Sequence, residues 1–241
     1  MVKIINGVFG DLKGKAGYYV FRIINGEPYA SLRPEKYNAS QSESAKANRG
    51  RFGTTIQFAK YINSIPELSQ IWKFAKLEGN TSFNRLVKYN IKSIRDSSLT
   101  TANIITPSLS TNFADMKIIS FDGATIKFNI SLNINTKAPK AYSPLIIYAI
   151  IAFQNPMPRN KVPISITHIS KEITFSEIES ANELQLDLNK SQNSLKRKYK
   201  SCIIYLTAIL DKHVPRKATS STSYAQDFPI TKKEKEAKNT L

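Results

Sequence analysis

The stretch GDLKGKAG, residues 10–17, has the glycine and lysine content of a loop that wraps a phosphate. A Walker A loop requires Gly, four residues, then Gly-Lys-Ser/Thr, because backbone N–H groups surround the phosphates and the hydroxyl holds magnesium. Here Phe9 stands at the position of the first glycine, and Ala16 replaces the hydroxyl residue. The glycine spacing does not fit the dinucleotide pattern G-x-G-x-x-G either. We therefore interpret these glycines as turn residues that lead into a hairpin.

Other side chains that could do catalysis are few. The two histidines, His168 and His213, are far apart, and neither belongs to an H-x-x-x-H pattern. There is no G-x-S-x-G motif, and the carboxylates between residues 172 and 187 fit solvated strand faces better than a catalytic pair or a calcium site. Cys202 lies in the apolar stretch SCIIYLTAIL, which favours a buried structural thiol. We predict no enzyme and no cofactor, with a hydrolase assembled around either histidine as the catalytic alternative.

Basic residues are the remaining candidates, since the formal net charge is +17. Such a charge is typical of proteins that bind nucleic acid or another acidic partner, because bound cations release condensed counterions. A codon bias toward lysine is the alternative, and the spread of positive charge over both halves favours it. Six of the nine arginines lie in residues 1–107, where an anion site is therefore sought. The candidate nucleic-acid or anion-binding residues are Lys13, Lys15, Arg22, Arg33, Lys46, Arg49 and Arg51.

Two basic segments stand out. Arg49-Gly-Arg51-Phe52 combines guanidinium and aromatic groups, as single-strand binders do. Phe52 also falls on the apolar stripe of a predicted helix, which favours a packing role for it and for Trp72. The densest basic run, SLKRKYK at residues 194–200, is placed in a loop between two strands.

A β-hairpin is predicted over about residues 17–33. Its signal is Asn25-Gly26 between two β-prone runs, because both central residues of a type I′ turn need positive φ. Pro28 removes a ladder donor, which predicts an edge position for the second strand. Alternation predicts two faces that are both substantially apolar, and an isolated ribbon cannot bury them. This arm must therefore pack on another part of the chain or on another copy. The candidate assembly residues are Tyr18, Tyr19, Val20, Phe21 and Tyr29.

Three short helices follow the hairpin. Ser40-x-x-Glu43 and Ser64-x-x-Glu67 have the spacing of capping boxes, and a third start lies at Thr81 or Ser82. Beyond residue 107, seven or eight short strands are separated by turn signals. The fold prediction is α+β. It comprises an N-terminal β-hairpin and about three short helices over 1–107, an antiparallel immunoglobulin-like β-sandwich over 108–230, and a charged tail over 231–241.

The order of these features resembles an uncharacterised bacterial and phage-encoded family, a domain of unknown function with an N-terminal GxxxGKxG hairpin. The residues that carry the resemblance are GDLKGKAGYYVFR, NGEPYASLRP, SQSESAKANRGRFGTTIQFAKYI and IIYLTAILDKHVPRKATSSTSYAQDF. The resemblance implies a hairpin and helices followed by a sandwich, and it implies no activity or catalytic residues.

The predicted function is that of a non-enzymatic structural or assembly protein. Its N-terminal arm would mediate self-association or dock on other protein subunits in a larger assembly, of virion or surface type. The alternative is nucleic-acid binding through the basic N-terminal half. The first residues lack the apolar run of a signal peptide, and no run reaches the roughly 18 residues of a membrane span. We therefore expect cytoplasmic synthesis, with virion association left open.

Overall fold

The chain divides into two compact units, Met1–Ala45 and Lys46–Leu241. The computed structural model describes residues 2–3, 14–24, 26–33, 39–107, 113–132, 145–180, 183–210, 219–221 and 223–230. In these ranges there are five α-helices and three antiparallel sheets, which confirms the predicted α+β class. The boundary predicted at residue 107 falls inside the second unit, and the predicted tail over 231–241 lies outside the described residues.

A four-stranded antiparallel sheet forms most of the described part of the first unit. Its strands are β1 (Val2–Lys3), β2 (Gly14–Ala16), β3 (Tyr19–Ile24) and β4 (Glu27–Leu32), in the order β1-β4-β3-β2. The predicted hairpin is therefore confirmed as β3 and β4. Gly17 lies in the turn before β3, and Gly26 lies in the turn that connects β3 to β4. Their φ values are 54° and 83°, which glycine adopts without a Cβ clash.

The position of Pro28 corrects the prediction of an edge strand. β4 pairs with β3 along its length and also with β1, through Ala30 and Tyr29. The edge in this direction is β1, so the strand that carries the proline is internal. The described pairs between β1 and β4 involve Ala30 and Tyr29, and Pro28 belongs to neither of them.

The three predicted helices are confirmed as α1 (Glu43–Asn63), α2 (Pro66–Phe74) and α3 (Ser82–Asn90). Two of the three starts have side-chain caps. Ser42, instead of the predicted Ser40, accepts the Ala45 N–H at 3.3 Å at the start of α1. Thr81 caps α3, as predicted. The capping box at Ser64 does not form, because that hydroxyl donates to the Tyr61 carbonyl at 2.6 Å.

Two further sheets and two short helices complete the second unit. The strands are β5 (Ala114–Phe121), β6 (Thr125–Leu132), β7 (Leu145–Pro156), β8 (Ile164–Ile173), β9 (Leu184–Asp187), β10 (Tyr199–Leu210), β11 (Thr219–Ser220) and β12 (Tyr224–Pro229). One sheet has the order β5-β6-β9, and the other has the order β11-β10-β7-β8 with β12 also paired to β10. The helices are α4 (Phe175–Ser180) and α5 (Lys190–Lys196).

The central strands β7 and β10 are apolar on both faces because both faces are covered. On one face, Ile151 and Ile204 belong to the apolar cluster shared with Phe128 of the three-stranded sheet. On the opposite face, Ile150 and Tyr205 belong to a second cluster. That second cluster contains Phe58, Ile62, Leu68, Trp72 and Leu86 of the helices. The second unit is thus built in three layers, with α1 to α3, the central sheet and the smaller sheet stacked in that order.

Buried polar groups fix the helices in place. Trp72 is fully buried, as its apolar stripe predicts, and its indole N–H donates to the Ile105 carbonyl at 2.8 Å. Asn90, also fully buried, donates to the Leu86 and Ile104 carbonyls and accepts the Ile104 N–H at 2.8 Å. The Asn90 side chain therefore joins the end of α3 to the segment around Ile104. No helix among the described residues is long and apolar enough to cross a bilayer.

Replacing Asn90 with Ala should lower the free energy of unfolding by about 2 kcal/mol, because buried partners such as the Ile104 N–H lose their hydrogen bond. Asn84→Ala is the matched control, since Asn84 lies on the same helix with an exposed side chain. We expect the control to change stability by less than about 0.5 kcal/mol. Urea unfolding followed by circular dichroism measures both values, and an equal effect of the two substitutions would contradict the role given to Asn90.

Candidate functional site

The pairing register of the N-terminal sheet sorts its side chains into two unlike faces. Paired residues of an antiparallel sheet point to the same side. Tyr19 pairs with Ala16 and Leu32, and Phe21 pairs with Gly14 and Ala30. With Ile23 and Pro28, these residues form a surface without a charged side chain, which we call the apolar face. The opposite face carries Lys15, Val20, Arg22, Glu27, Tyr29 and Ser31. The prediction that both faces are substantially apolar is therefore wrong for the second face.

The apolar face is incompletely covered. Among the described residues of β2, β3 and β4, no side chain is buried. Tyr19 is 50% exposed and Leu32 is 70% exposed, whereas Phe21 is half-buried with its ring centroid 6.4 Å from that of Tyr19. Tyr18, in the turn before β3, is 73% exposed. Large apolar groups thus contact water on a sheet that has no core of its own among these residues.

The five predicted assembly residues do not share one surface. Tyr19 and Phe21 lie on the apolar face, and Tyr18 lies in the turn. Val20 and Tyr29 lie on the opposite face, where the Tyr29 hydroxyl donates to the Glu27 carboxylate at 3.2 Å. Leu32, which the sequence analysis did not select, completes the exposed part of the apolar face. Leu32 is indicated by its pairing with Tyr19, and this pairing can be assigned only when the hairpin turn is known to lie at Gly26.

The first half of α1 forms a second surface, which we call the basic helix segment, residues 46–53. Lys46, Arg49 and Arg51 are exposed in it. Phe52 is 53% exposed, so its predicted packing role is wrong. Burial along α1 begins at Thr54, and Phe58 supplies the aromatic ring of the core. The helical period correctly predicted an apolar stripe along α1. It could not show that the part of the helix before Thr54 is left uncovered.

A tight turn rests against the basic helix segment. Gly50 lies close to Ser97, since a Cβ at this position would collide with the Ser97 hydroxyl in its present rotamer. The Thr54 hydroxyl donates to the Ser97 carbonyl at 2.6 Å. Asp96 and Ser97 adopt positive φ of 47° and 58°, which tightens the turn. The turn also carries Arg95, an exposed cation that the sequence analysis did not select.

The other predicted anion-binding residues, Lys13, Lys15, Arg22 and Arg33, all belong to the first unit. Lys15 and Arg22 lie on the charged face of the N-terminal sheet, and Arg33 follows β4, with its N–H donating to the Tyr18 carbonyl at 2.7 Å. Lys13 lies outside the described residues. Arg85 is excluded as an anion ligand, because its guanidinium donates to the carbonyls of Trp72, Lys73 and Gly79.

His168 takes part in packing between elements. Its Nδ1 shares a 2.9 Å hydrogen bond with the Tyr61 hydroxyl of α1, and its backbone carbonyl accepts from Gln192 of α5 at 2.9 Å. Burial lowers the pKa of His168, with the Glu67 carboxylate partly opposing this shift. Burial raises the pKa of the Tyr61 phenol, which disfavours a tyrosinate base. The pair therefore holds α1 on β8. His213 lies outside the described residues.

Cys202 is a buried free thiol in the apolar cluster between the central sheet and the three-stranded sheet. Burial raises its pKa to about 12, and the Asp227 carboxylate adds to the shift. A thiol with this pKa is a poor nucleophile at neutral pH. In the described part of the chain, no group of three or more His, Cys, Asp or Glu side chains is placed to hold a metal ion.

Comparison of the chain with protein-family models, with curated proteins and with solved structures finds no match. The resemblance to a bacterial and phage family therefore stays a prediction, and the two surfaces above are the basis for a functional proposal.

The stability of the protein should fall as the pH drops below about 6.5, the ordinary pKa of histidine. The folded state lowers the pKa of His168, so the unfolded chain binds a proton at a pH where the folded chain does not. His168→Gln should reduce the loss of unfolding free energy between pH 7 and pH 5, as measured by urea unfolding at each pH. Tyr61→Phe is the companion variant, since it removes the hydrogen bond and keeps the histidine. An unchanged loss in His168→Gln would exclude His168 as its source.

Proposed function

We propose that this protein is a non-enzymatic structural protein that self-associates through the apolar face of its N-terminal sheet. The observation that carries the proposal is the register, which groups eight uncharged residues on one face while leaving Tyr19 and Leu32 at least half exposed. The non-enzymatic part is supported by His168 and Cys202, both of which are used in packing.

Burial of this face would supply the stabilisation that the sheet lacks. A large apolar side chain contributes about 2 kcal/mol when it moves from water to a packed interior. None of the described side chains of β2, β3 and β4 is buried, so little of this contribution is realised there in a single chain. Sheets pack face to face at a spacing of about 10 Å, which brings two such surfaces into direct contact.

The apolar face is the surface of the sheet through which a second copy of the chain can dock with the least charge repulsion. Each chain has a formal net charge of +17, so most pairs of surfaces from two copies repel each other. The apolar face has no charged side chain, while Lys15 and Arg22 on the other face would remain in water. Two copies related by a twofold axis would present the same face to each other. Because a twofold contact closes at a dimer, docking of other subunits on other surfaces would build the larger virion or surface assembly.

The strand order supports a finer proposal, that the two facing sheets form an immunoglobulin-like sandwich. The orders β5-β6-β9 and β12-β10-β7-β8 correspond to strands A-B-E and G-F-C-C′ of such domains. The sandwich would then be the rigid body that displays the N-terminal sheet. Cytoplasmic synthesis stays part of this proposal.

Nucleic-acid binding is the second candidate, and the exposure of Phe52 favours it. Single-strand binders place aromatic rings among cations, so that bases stack while phosphates are neutralised. Phe52 is 53% exposed, and its neighbours in the basic helix segment, Arg51 and Gly53, are exposed as well. The turn at Ser97 adds Arg95 to this region.

Tyr19→Ser combined with Leu32→Ser should shift the protein from a larger species to a monomer of 27.1 kDa. The reason is loss of the two most exposed large side chains on the apolar face. Val20→Ser combined with Tyr29→Ser is the matched control, since both residues lie on the opposite face. Light scattering coupled to size exclusion measures the mass. A monomeric parent protein, or an equal mass for both double variants, would refute self-association through this face.

Arg51→Ala combined with Phe52→Ala should weaken binding of a fluorescent single-stranded oligonucleotide. The salt dependence of the affinity should also become shallower by roughly 0.7 per lost phosphate contact. Lys117→Ala with Ile119→Ala is the control, because it removes one cation and one exposed apolar side chain from β5. Fluorescence anisotropy at several salt concentrations measures both properties. Binding that is absent, insensitive to salt, or equally weakened in the control would remove this candidate.

A further inference from the structure

A basic cavity of about 620 Å³ lies at one end of the central sheet in the second unit. One wall is the loop that follows β7, and the other is the short segment between α5 and β10. The lining residues are Met157, Pro158, Arg159, Asn160, Arg197 and Lys198. Three of the six are cations, and none is a carboxylate.

Main-chain hydrogen bonds hold the two walls together. The Met157 N–H donates to the Lys198 carbonyl at 2.8 Å, and the Asn160 side-chain amide donates to the same carbonyl at 3.3 Å. Within the first wall, the Asn160 N–H donates to the Met157 carbonyl at 2.8 Å. Pro156 and Tyr199 pair at the adjoining ends of β7 and β10. The cavity is therefore shaped by the sheet before any ligand arrives, which reduces the entropic cost of binding.

The charges of the cavity are not neutralised by the part of the chain that the structure describes. Arg159, Arg197 and Lys198 are exposed, and none of them forms an ion pair with a described carboxylate. The three cations line the same cavity and repel one another. A bound anion would attract all three and offset this repulsion. Guanidinium groups bind phosphate oxygens in a bidentate manner, and an ammonium group adds a point charge.

We propose that this cavity binds a small organic phosphate, a phosphate monoester that carries an apolar or aromatic group. The cations would hold the phosphate, and Met157 and Pro158 would contact the organic group. The volume lies within the range of roughly 300–1,000 Å³ that is usual for small-molecule sites. The cations converge on one cavity instead of following a groove, which favours a compact ligand over a polynucleotide. This site involves neither the N-terminal sheet nor the basic helix segment, so its test is independent of both functional proposals.

Isothermal titration calorimetry of the full chain with phenyl phosphate, inorganic phosphate and benzyl alcohol tests the proposal. Phenyl phosphate should bind more tightly than inorganic phosphate, because only the ester also contacts Met157 and Pro158. Benzyl alcohol, which has the ring without the phosphate, should not bind. Arg159→Ala combined with Arg197→Ala should weaken phenyl phosphate binding by at least about tenfold, since each bidentate contact is charge-assisted.

Lys117→Ala combined with Lys171→Ala is the matched control, because it removes the same charge from exposed positions on β5 and β8. The control should bind phenyl phosphate within about twofold of the parent. Lys198→Ala alone should also weaken phenyl phosphate binding. This single variant replaces the double variant in the comparison if the double variant does not fold. Absence of phenyl phosphate binding, an equal loss in the control, or tighter and competing binding of a single-stranded oligonucleotide would overturn the proposal.

Discussion

The pairing of β7 with β10 is the constraint on which the second unit depends. The two strands pair in one unshifted register from Gln154 and Ser201 to Leu145 and Leu210, and most of their side chains over this length are apolar on both sides. Such strands cannot border water on either face, so each face requires a covering layer. The three-stranded sheet covers one face, and α1, α2 and α3 cover the other. The helices are therefore part of the same folded body as the two sheets of the second unit.

Local patterns predicted the elements that local chemistry determines. Asn25-Gly26 predicted the hairpin, and the apolar stripe around Trp72 predicted a buried helix face. The errors arose where a distant segment decides the outcome. Phe52 has the period of a core residue but extends beyond the covering layer, and β4 became internal because β1 pairs with it from elsewhere in the chain.

For the candidate sites too, local patterns predicted single residues, whereas distant segments decide which residues come together. The individual members of the apolar face could be predicted from alternation, but their grouping needed the registers of β2 and β4 against β3. The turn that carries Arg95 packs against α1 through Ser97, next to Gly50 and Thr54, and no local pattern predicts this contact. The basic run at 194–200 was visible in the sequence. Its meeting with Arg159 depends on hydrogen bonds between the loops that flank β7 and β10.

The covering of β7 and β10 on both faces also determines when this chain can fold. β10 lies late in the sequence, and its side chains complete both apolar clusters. During synthesis, β7 and the apolar faces of α1 to α3 emerge before their central partner exists. At a translation rate of roughly 5–20 residues per second, β7 remains without this partner for several seconds. The nascent chain therefore presents a long apolar strand to its surroundings during that interval, and chaperone capture competes with productive closure until residue 210 has left the ribosome.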